Sequence, residues 1–372
     1  MKITILQGAF LPVPAELGGA IEKMWFALGK EFARRGHDVI HISRQYKHFP
    51  SQEIIAGVHH TRIKGFATPS SGLYLKMLDL VYSFRSKLVI PLDSEVIVTN
   101  TFWAPLLLNA KLRRRCFIDV QRIPKGQMKM YRNAARLRAN SSYVAEAIKN
   151  EIPVPKRKKV VMIPNPLPFE INDKDDYEQK VPILLYVGRI HPEKGLELLI
   201  KAFREIKTDW VLKIIGPYDI AAGGGGKKYL NTLRKLSAES NIEFIGPVYD
   251  VHTLNQHYMK ASLFVYPSIA ERGETFGLAP LEAMAWGCVP IVSNLSCFKD
   301  FIEDGSNGLI FDHRAKNADE LLRKALTSLV TNPALTRQLS IKAREVRETH
   351  SITLIGCHFL DEFEKMILEV KA

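Results

Sequence analysis

The segment YPSIAERGETFGLAPLEAMAWGCVPIVS, residues 266–293, contains in order the end of a strand, a loop, a helix and a second strand. Tyr266 ends an apolar run, and Leu278 opens an apolar helix with Pro280 in its first turn, where proline is favoured. Residues 289–293 form another apolar run of strand length. This order predicts a βαβ unit, in which a helix joins two parallel strands.

The same alternation extends in both directions from this segment and predicts an α/β protein with parallel sheets. In the first half, strands are predicted at 3–7, 38–42, 95–99, 117–120 and 160–163, with a helix at 22–35. In the second half, strands are predicted at 183–187, 210–215, 242–245, 263–266, 289–293 and 308–311, with helices at 195–205 and, as one continuous element, 319–348. The glycine run at 223–226 is predicted to be a flexible surface loop.

The alternation is interrupted once, between residues 164 and 180. This segment holds three prolines followed by a charged polar run, which is typical of a linker. We therefore predict an N-terminal Rossmann-like domain over 1–170 and a C-terminal one over 171–351. The last helix, about 352–372, is expected to fold back onto the first domain. A length of 372 residues is compatible with two domains.

The composition excludes a wholly disordered chain, a collagen and a coiled coil. Hydrophobic residues make up 46% and charged residues 24% of the chain, the balance of an ordinary globular protein. The four cysteines are scattered and form no C-x-x-C pair, so we expect reduced thiols and neither a disulfide framework nor a zinc site. The start, MKITILQGAF, is typical of a core strand rather than of a signal peptide, and this predicts a cytoplasmic protein.

The positive charge is concentrated in the first half of the chain. Residues 1–160 hold 27 Lys and Arg against 11 Asp and Glu, whereas the remainder holds 25 against 28. A basic half attracts phosphate groups, whether on nucleic acid, on anionic lipid or on a small molecule. One of the basic clusters in this half includes Arg136 and Arg138.

Two glycine-containing turns follow predicted strands and precede helices. Gly18 and Gly19 stand before the first long helix, where backbone N–H groups can approach an anion closely. The alternative for this pair is a simple tight turn. VGRIHPEKG, residues 187–195, places Arg189 and Lys194 at the end of a strand, the edge where open α/β sheets bind ligands. These two cations suit a diphosphate, although solvated basic residues beside a turn remain the alternative.

Two carboxylates flank the start of the helix in the opening segment. Glu274 lies on the loop, and Glu282 lies near the first turn of the apolar helix. A helix N-terminus favours carboxylates, but a carboxylate on so apolar a helix also needs polar partners, and the hydroxyl groups of a polyol would supply them. We expect the N–H groups of residues 276–278 to face anionic oxygens between the two carboxylates.

In this order and spacing the motifs resemble the retaining glycosyltransferases of family 4, which have the GT-B architecture of two facing Rossmann-like domains. The matching stretches are Gly18-Gly19, VGRIHPEKG at 187–195, IIGP at 214–217, FIGPV at 244–248, the E-x7-E pattern continuing through EAMAWGCVPIV, and DGSNGLIF at 304–311. The resemblance covers the whole chain and is stronger after residue 164.

The resemblance implies a nucleotide-diphosphate sugar as donor and a role for each matching residue. Arg189, Lys194 and the backbone at Gly19 would neutralise the diphosphate, Glu282 would accept the ribose hydroxyls, and Glu274 would hold the transferred sugar. The donor-binding set implied is Gly18, Gly19, Arg189, Lys194, Gly216, Val248, Glu274, Phe276, Gly277, Leu278 and Glu282, with Glu274, Arg189 and Lys194 as the catalytic residues. No metal or cofactor is implied, because basic side chains and a helix end stabilise the leaving diphosphate.

The N-terminal domain would bind the acceptor, but here the sequence departs from the family. Many relatives carry a histidine near the reaction centre where this chain has Asn100 and Thr101, so these two and Arg122 are the acceptor-side candidates. Residues 73–88 mix apolar side chains with three cations and either lie on a membrane surface, form an acceptor groove or make an ordinary domain helix.

We therefore expect a hexosyltransferase that builds a surface polysaccharide or lipopolysaccharide on a glycan or lipid-linked acceptor, in the cytoplasm or peripherally on the inner face of the membrane. A GT-B sugar-nucleotide epimerase is the alternative enzyme, although the E-x7-E block argues against it. A protein that binds nucleic acid through the basic half is disfavoured, because no recognised reader motif is present.

Overall fold

The computed structural model describes residues 1–69, 71–171 and 180–371, and these divide into two units. Unit 1 contains residues 1–169 and 350–372, and unit 2 contains residues 170–349. The polar part of the predicted linker, residues 172–179, lies outside the described residues.

Unit 1 is built on an eight-stranded sheet with the strand order β3-β4-β2-β1-β5-β6-β7-β8. All neighbouring strands are parallel except β3 and β4, which form an antiparallel hairpin at one edge. The strands are β1 Lys2–Leu6, β2 Asp38–Arg44, β3 Gln52–Ile55, β4 Val58–Ile63, β5 Val96–Thr99, β6 Cys116–Val120, β7 Arg136–Ala139 and β8 Val160–Met162. The helices are α1 Ala20–Arg34, α2 Gly72–Lys87, α3 Ala104–Leu107, α4 Ala110–Arg113, α5 Ser142–Glu151 and α13 Ile352–Lys371, with 3-10 turns at Gln127–Tyr131 and Val154–Lys159.

Successive side chains of a strand point to opposite faces of its sheet, so unit 1 has a hydrophobic cluster on each face. One cluster contains α1 and the C-terminal helix α13, which returns to this unit after the chain has passed through unit 2. Phe359 of α13 lies 5.2 Å from Trp25 of α1, and Phe363 lies 5.0 Å from Phe117 of β6, measured between ring centres. These edge-to-face aromatic contacts attach the last helix to the sheet.

Strand β7 shows that Arg136 and Arg138 do not contribute their charge to the surface of the basic half. Both side chains are buried, and Arg138 is fully enclosed. Arg138 faces Asp119 across the β6–β7 ladder and donates to its carboxylate at 2.7 Å, while Arg136 is paired with Glu362 of α13. A buried charge needs a partner of opposite sign, so these two arginines serve the interior of unit 1 rather than its surface.

Unit 2 is built on a six-stranded parallel sheet with the order β11-β10-β9-β12-β13-β14. The strands are β9 Val181–Val187, β10 Val211–Ile215, β11 Ile242–Gly246, β12 Ala261–Tyr266, β13 Val289–Ser293 and β14 Leu309–Phe311. The helices are α6 Leu196–Arg204, α7 Gly226–Leu236, α8 Val251–Lys260, α9 Leu278–Ala285, α10 Ala318–Val330, α11 Pro333–Ala343 and α12 Val346–Thr349, with 3-10 turns at Pro192–Lys194, Ile220–Ala222 and Ser296–Asp300.

The predicted continuous helix over 319–348 is wrong, because three helices occupy this region. Helix α10 ends at Val330, and Pro333 begins α11 with the side chain of Asn332 accepting the N–H of Leu335 at 3.0 Å. Proline lacks the N–H that a helix interior needs and its ring clashes with the preceding turn, so it opens a helix and cannot continue one.

The predicted flexibility of the glycine run at 223–226 is also wrong. Gly224 is buried, and the backbone N–H groups of Gly224, Gly225 and Gly226 each donate to a carbonyl of a neighbouring loop at 2.7–2.8 Å. A side chain at Gly224 would collide with the backbone of Tyr218. The glycines therefore allow a closely packed turn that leads into α7.

No helix among the described residues is both long and apolar enough to cross a membrane.

Candidate donor-binding site

The central strands β9 and β12 of unit 2 position the candidate site. They are neighbours in the sheet, and the chain leaves β9 toward β10 on one side and β12 toward β13 on the other. In open α/β sheets, ligands bind at such a reversal, outside the carboxyl ends of the strands. The loop at 188–195 follows β9 and the loop at 267–277 follows β12, so both loops start at this point.

Lys194 and Glu274 meet directly where these two loops touch. Their side chains form a hydrogen-bonded ion pair, although 80 residues separate them in the sequence. Lys194 is 4% exposed and Glu274 is 7% exposed, so the pair is almost enclosed. The hydroxyl of Ser268 lies 3.1 Å from the same carboxylate oxygen, and the Lys194 ammonium lies 5.4 Å from the ring centre of Tyr266. The ion pair itself, the Ser268 hydroxyl and the ring of Tyr266 together hold the Lys194 and Glu274 side chains in place.

Gly195 allows the two loops to come this close. Its φ of 68° is in the left-handed region, and a Cβ atom there would collide with the carbonyl of Pro267. Next to it, the N–H of Ile269 donates to the carbonyl of Glu193 at 2.9 Å. A glycine is needed at this position because no other residue combines this backbone conformation with so little volume.

Arg189 is held by the backbone and side chains around it. Its guanidinium donates to a carboxylate oxygen of Glu193 and to the carbonyl of Gly223, both at 2.7 Å. The hydroxyl of Tyr186 donates to the carbonyl of Arg189 at 2.9 Å. The side chain remains 42% exposed, so it is oriented and still reachable by a ligand. The packed glycine turn therefore forms part of this site.

Glu282 lies on α9 and is 6% exposed. The hydroxyl of the fully buried Tyr258 donates to its Oε2 at 3.2 Å. Burial is the main reason that the pKa of Tyr258 is raised, and the negative charge of Glu282 adds to it, so the phenol stays protonated and remains a donor.

Phe276, Gly277 and Leu278 form the entrance to α9. Phe276 is buried, Gly277 precedes the helix with a φ of 94°, and Leu278 is its first residue. The first N–H groups of a helix have no partner within it and carry partial positive charge. This end of α9 follows the loop that carries Glu274, so it can receive an anion next to the ion pair.

The loop that carries Glu274 is tied to the end of β14. Glu271 pairs with His313 at 2.9 Å and with Arg314 at 2.7 Å, and hydrogen bonds from Arg314 are the main cause of the lowered pKa of Glu271. Arg272, the next residue, is exposed. Two further candidates follow the neighbouring strands: Gly216 is buried after β10, and Val248 is half-buried after β11.

In unit 1, Gly18 and Gly19 form the turn before α1 as expected, and the turn holds a carboxylate. The side chain of Glu22 folds back against Gly19, whose φ is 106°, and a Cβ atom there would collide with it. Glu22 is 7% exposed, and burial raises its pKa to about 7, with hydrogen bonding to its own N–H and the charge of Arg122 opposing the rise. Near neutral pH this group therefore exists in both protonation states.

The acceptor-side candidates of unit 1 differ in accessibility. Thr101 is 4% exposed, and its hydroxyl lies 2.9 Å from that of Thr99. Asn100 is half-buried, and its side-chain oxygen has no hydrogen-bond partner among the residues that the structure describes. Arg122 is exposed and lies close enough to Glu22 to influence its charge.

Sequence reasoning missed four groups that complete these contacts: Glu193, Ser268, Tyr258 and Glu22. Glu193 and Ser268 stand inside motifs that were already singled out, and their position at strand ends was an available signal. Tyr258 lies on α8, more than twenty residues from Glu282, and no local pattern marks it. Glu22 follows Gly19 by three residues, where a carboxylate reaches the start of a helix.

Comparisons with known proteins identify the fold and the class of protein. Residues 169–346 match the family model for glycosyl transferases group 1. An uncharacterised glycosyltransferase of Methanocaldococcus jannaschii is 25% identical over 343 residues, covering 83% of this chain and 84% of that protein. A lipopolysaccharide core biosynthesis mannosyltransferase of Rhizobium leguminosarum bv. viciae is 28% identical over 151 residues, 40% of each chain. The crystal structure of Anabaena HepE in complex with UDP and glucose matches with a TM-score of 0.70 and 15% identity, over 98% of this chain and 100% of that one.

The chain is therefore a glycosyltransferase with the GT-B fold. The family model for glycosyl transferases group 1 matches nearly all of unit 2.

Proposed function

We propose that this glycosyltransferase moves a hexose-type sugar from a nucleotide-diphosphate sugar to a glycan, glycolipid or other hydroxyl acceptor with retention of the anomeric configuration. The complex of HepE with UDP and glucose supports a nucleotide-sugar donor. The similarity to a lipopolysaccharide core mannosyltransferase supports a role in cell-surface polysaccharide or lipopolysaccharide synthesis.

The observation that carries this proposal is the buried contact between Lys194 and Glu274 at the carboxyl ends of β9 and β12. A sugar bound beside Glu274 would present hydroxyl donors to its carboxylate, and a phosphate would present oxygens to the Lys194 ammonium. Each partner would thus exchange part of its present contact for one with the donor. Because both are already fixed by Ser268 and Tyr266, little ordering is left for the moment of binding.

The leaving diphosphate is the second requirement of the reaction. When the bond between the anomeric carbon and the phosphate oxygen breaks, negative charge accumulates on that oxygen. Lys194, Arg189 and the first N–H groups of α9 would stabilise it. Such fixed donors do the work that a metal ion does elsewhere, so we propose a metal-independent reaction. Retention fits attack from the face of the leaving group, with the phosphate taking the acceptor's proton.

Glu282 would accept the ribose hydroxyls, with its carboxylate oriented by the hydrogen bond that the Tyr258 hydroxyl donates to Oε2. Gly216 and Val248 lie beyond the ends of the next strands and would contact the base through backbone groups. In unit 1, Asn100, Thr101 and Arg122 would face the acceptor. The excess of cations in unit 1 favours an acceptor that carries phosphate or is linked to a lipid phosphate.

A thermal-shift screen of nucleotide diphosphates and their sugars tests the donor half of this proposal. A true donor should raise the melting temperature by mass action, and Glu274→Gln should lower the response to the sugar nucleotide more than the response to the free diphosphate. Glu345→Gln, an exposed carboxylate of unit 2, is the matched control. If no nucleotide raises the melting temperature, or if Glu274→Gln transfers sugar at the normal rate, the assignment is wrong.

Transfer assays test the remaining parts. Product stereochemistry by NMR should show the donor's anomeric configuration, and activity should survive EDTA. Inversion would overturn the retaining mechanism, and loss of activity that added divalent metal restores would overturn metal independence.

A further inference from the structure

Helix α2 of unit 1 buries several polar side chains and leaves large apolar ones exposed. The residues that it buries are Asp79, Tyr82, Ser83 and Ser86, spaced three and four apart on one face of the helix. An ordinary surface helix buries its apolar stripe and exposes its polar one. In α2 the buried residues include an aspartate and two serines, and Leu75, Leu78 and Leu80 are only half-buried, while the most exposed apolar side chains lie on the opposite side.

Specific contacts fix the polar face toward unit 1. The carboxylate of Asp79 accepts the backbone N–H groups of Phe102 and Trp103 at 3.2 and 3.3 Å. The indole N–H of Trp103 donates in return to the carbonyl of Lys76 at 2.9 Å. A rotation of α2 that buried its exposed apolar side chains would break these hydrogen bonds. Apolar side chains could not form them in turn.

The outer face is a continuous apolar row. Its members lie four, four, three and four residues apart, which places them on one side of the helix. They are, with their exposed fractions, Leu73 (74%), Met77 (57%), Val81 (42%), Phe84 (53%) and Leu88 (84%). Leu92, 71% exposed, continues the row beyond the helix end. Single exposed apolar residues are normal, but a contiguous row of this length marks a binding surface.

Most of the charges near this row are positive, and Asp93, which follows Leu92, is paired with Lys2 at 2.9 Å. Lys76 and Lys87 are exposed on α2, and Arg85 and Lys64 lie beside them, where Arg85 donates to the carbonyl of Lys64 at 2.7 Å. The only acidic residue between positions 54 and 92 is Asp79, and it is buried. A second copy of this chain bound through the same face would bring like charges together, whereas an anionic lipid surface complements them.

We propose that α2 docks unit 1 onto an anionic lipid bilayer, lying in the plane of the headgroups with the apolar row buried in the acyl boundary. An amphipathic helix with cations beside its apolar face binds in this way, through buried area and electrostatic attraction together. Docking would bring the enzyme to a lipid-linked acceptor, and only that consequence rests on the proposed function. Lipid binding itself needs neither donor nor acceptor.

Vesicle sedimentation of the full chain without any substrate tests the proposal. Vesicles of phosphatidylcholine with about one third phosphatidylglycerol should bind the protein at low salt. Pure phosphatidylcholine should bind at least about tenfold more weakly, because each cation near an anionic surface contributes roughly fivefold in affinity. The triple variant Met77→Gln, Phe84→Gln, Leu88→Gln should lose at least about tenfold in binding to the anionic vesicles, since three apolar anchors are removed.

The matched control removes the same number of exposed apolar side chains away from α2. Ile54→Gln, Ile220→Gln and Ile341→Gln replace residues that are 64%, 74% and 60% exposed, and this variant should bind vesicles as the unchanged protein does. Nucleotide-induced thermal shifts in both variants report folding and the donor site separately from lipid binding. No binding to anionic vesicles at low salt, or equal binding by both triple variants, would overturn the proposal. So would a concentration-dependent dimer, seen by light scattering, that only the α2 variant disrupts while vesicle binding is unaffected.

Discussion

The ion pair between Lys194 and Glu274 should contribute measurably to the free energy of unfolding. Removing one partner of a buried pair leaves an uncompensated charge and costs about 3–5 kcal/mol. Here Ser268 and Tyr266 remain to solvate the survivor in part, so the lower value, about 3 kcal/mol, is expected for Lys194→Met or Glu274→Gln. In a unit of this size that corresponds to a fall in melting temperature of roughly 6–12 °C.

The double variant distinguishes a buried pair from two independent residues. With both charges removed no unpaired charge remains, so its cost should be at least about 2 kcal/mol smaller than the sum of the single costs. Scanning calorimetry of the full chain measures all three variants in the same transition. Transfer activity should be lost in every one of them, because restoring stability does not restore the groups that bind the donor.

An exposed ion pair provides the control for this comparison of single and double variants. Lys342 and Glu345 are 2.9 Å apart, but their side chains are 56% and 61% exposed, and the coupling between such groups is about 0.5 kcal/mol or less. If the destabilising effects of the Lys194 and Glu274 substitutions simply add in the double variant, the two side chains do not form a buried pair in solution. The proposed binding of the donor at this pair would then be wrong.

Three further outcomes can be checked. Tyr258→Phe should leave the fold intact but weaken nucleoside diphosphate binding about threefold to tenfold in calorimetry, because Glu282 loses the hydrogen bond that orients it; unchanged affinity would contradict this role. His60 is buried, and desolvation lowers its pKa to about 4. Between pH 6.5 and 4 this histidine is therefore protonated in the unfolded chain but not in the folded one. The free energy of unfolding should fall by roughly 2–3 kcal/mol as the pH decreases through this range. His60→Gln should reduce that dependence in urea titrations, whereas the same change at the exposed His59 should not, and equal effects would refute the explanation. Gly195→Ala should lower both melting temperature and donor affinity, because it forces the two site loops apart; a variant with normal affinity would show that their contact is dispensable.

The sequence was sufficient to predict the positions of most strands and of both site loops. Apolar runs of four to seven residues separated by helical patterns predict a parallel sheet, and a parallel sheet brings the ends of its strands to one edge. The residues at those ends, such as Arg189 and Glu274, were therefore visible as candidates. What the sequence does not contain is the lateral order of the strands, and the contact of Lys194 with Glu274 depends on β9 lying beside β12.

Charged residues were the harder class to interpret. Arg138 and Lys76 are both cations of the basic half, yet one is enclosed against Asp119 and the other lies at the surface. Counting charges records neither the burial of a side chain nor the presence of a partner on a neighbouring strand. The same limit applies to α2, whose periodicity predicts a helix but does not say which of its two faces meets the protein.

The two units therefore depend on their sequences in different ways. The site of unit 2 requires particular pairs of atoms to meet: the Gly195 turn must pass the Pro267 carbonyl, and one ammonium must reach one carboxylate. Few substitutions satisfy such contacts, which explains why a family model matches residues 169–346 and so coincides with this unit. A lipid-binding face requires only sufficient apolar area and positive charge on one side of a helix, and many sequences provide both. We therefore expect motif-based reasoning to identify the donor half of such enzymes, and exposure measured on a structure to identify the surface that brings them to their acceptor.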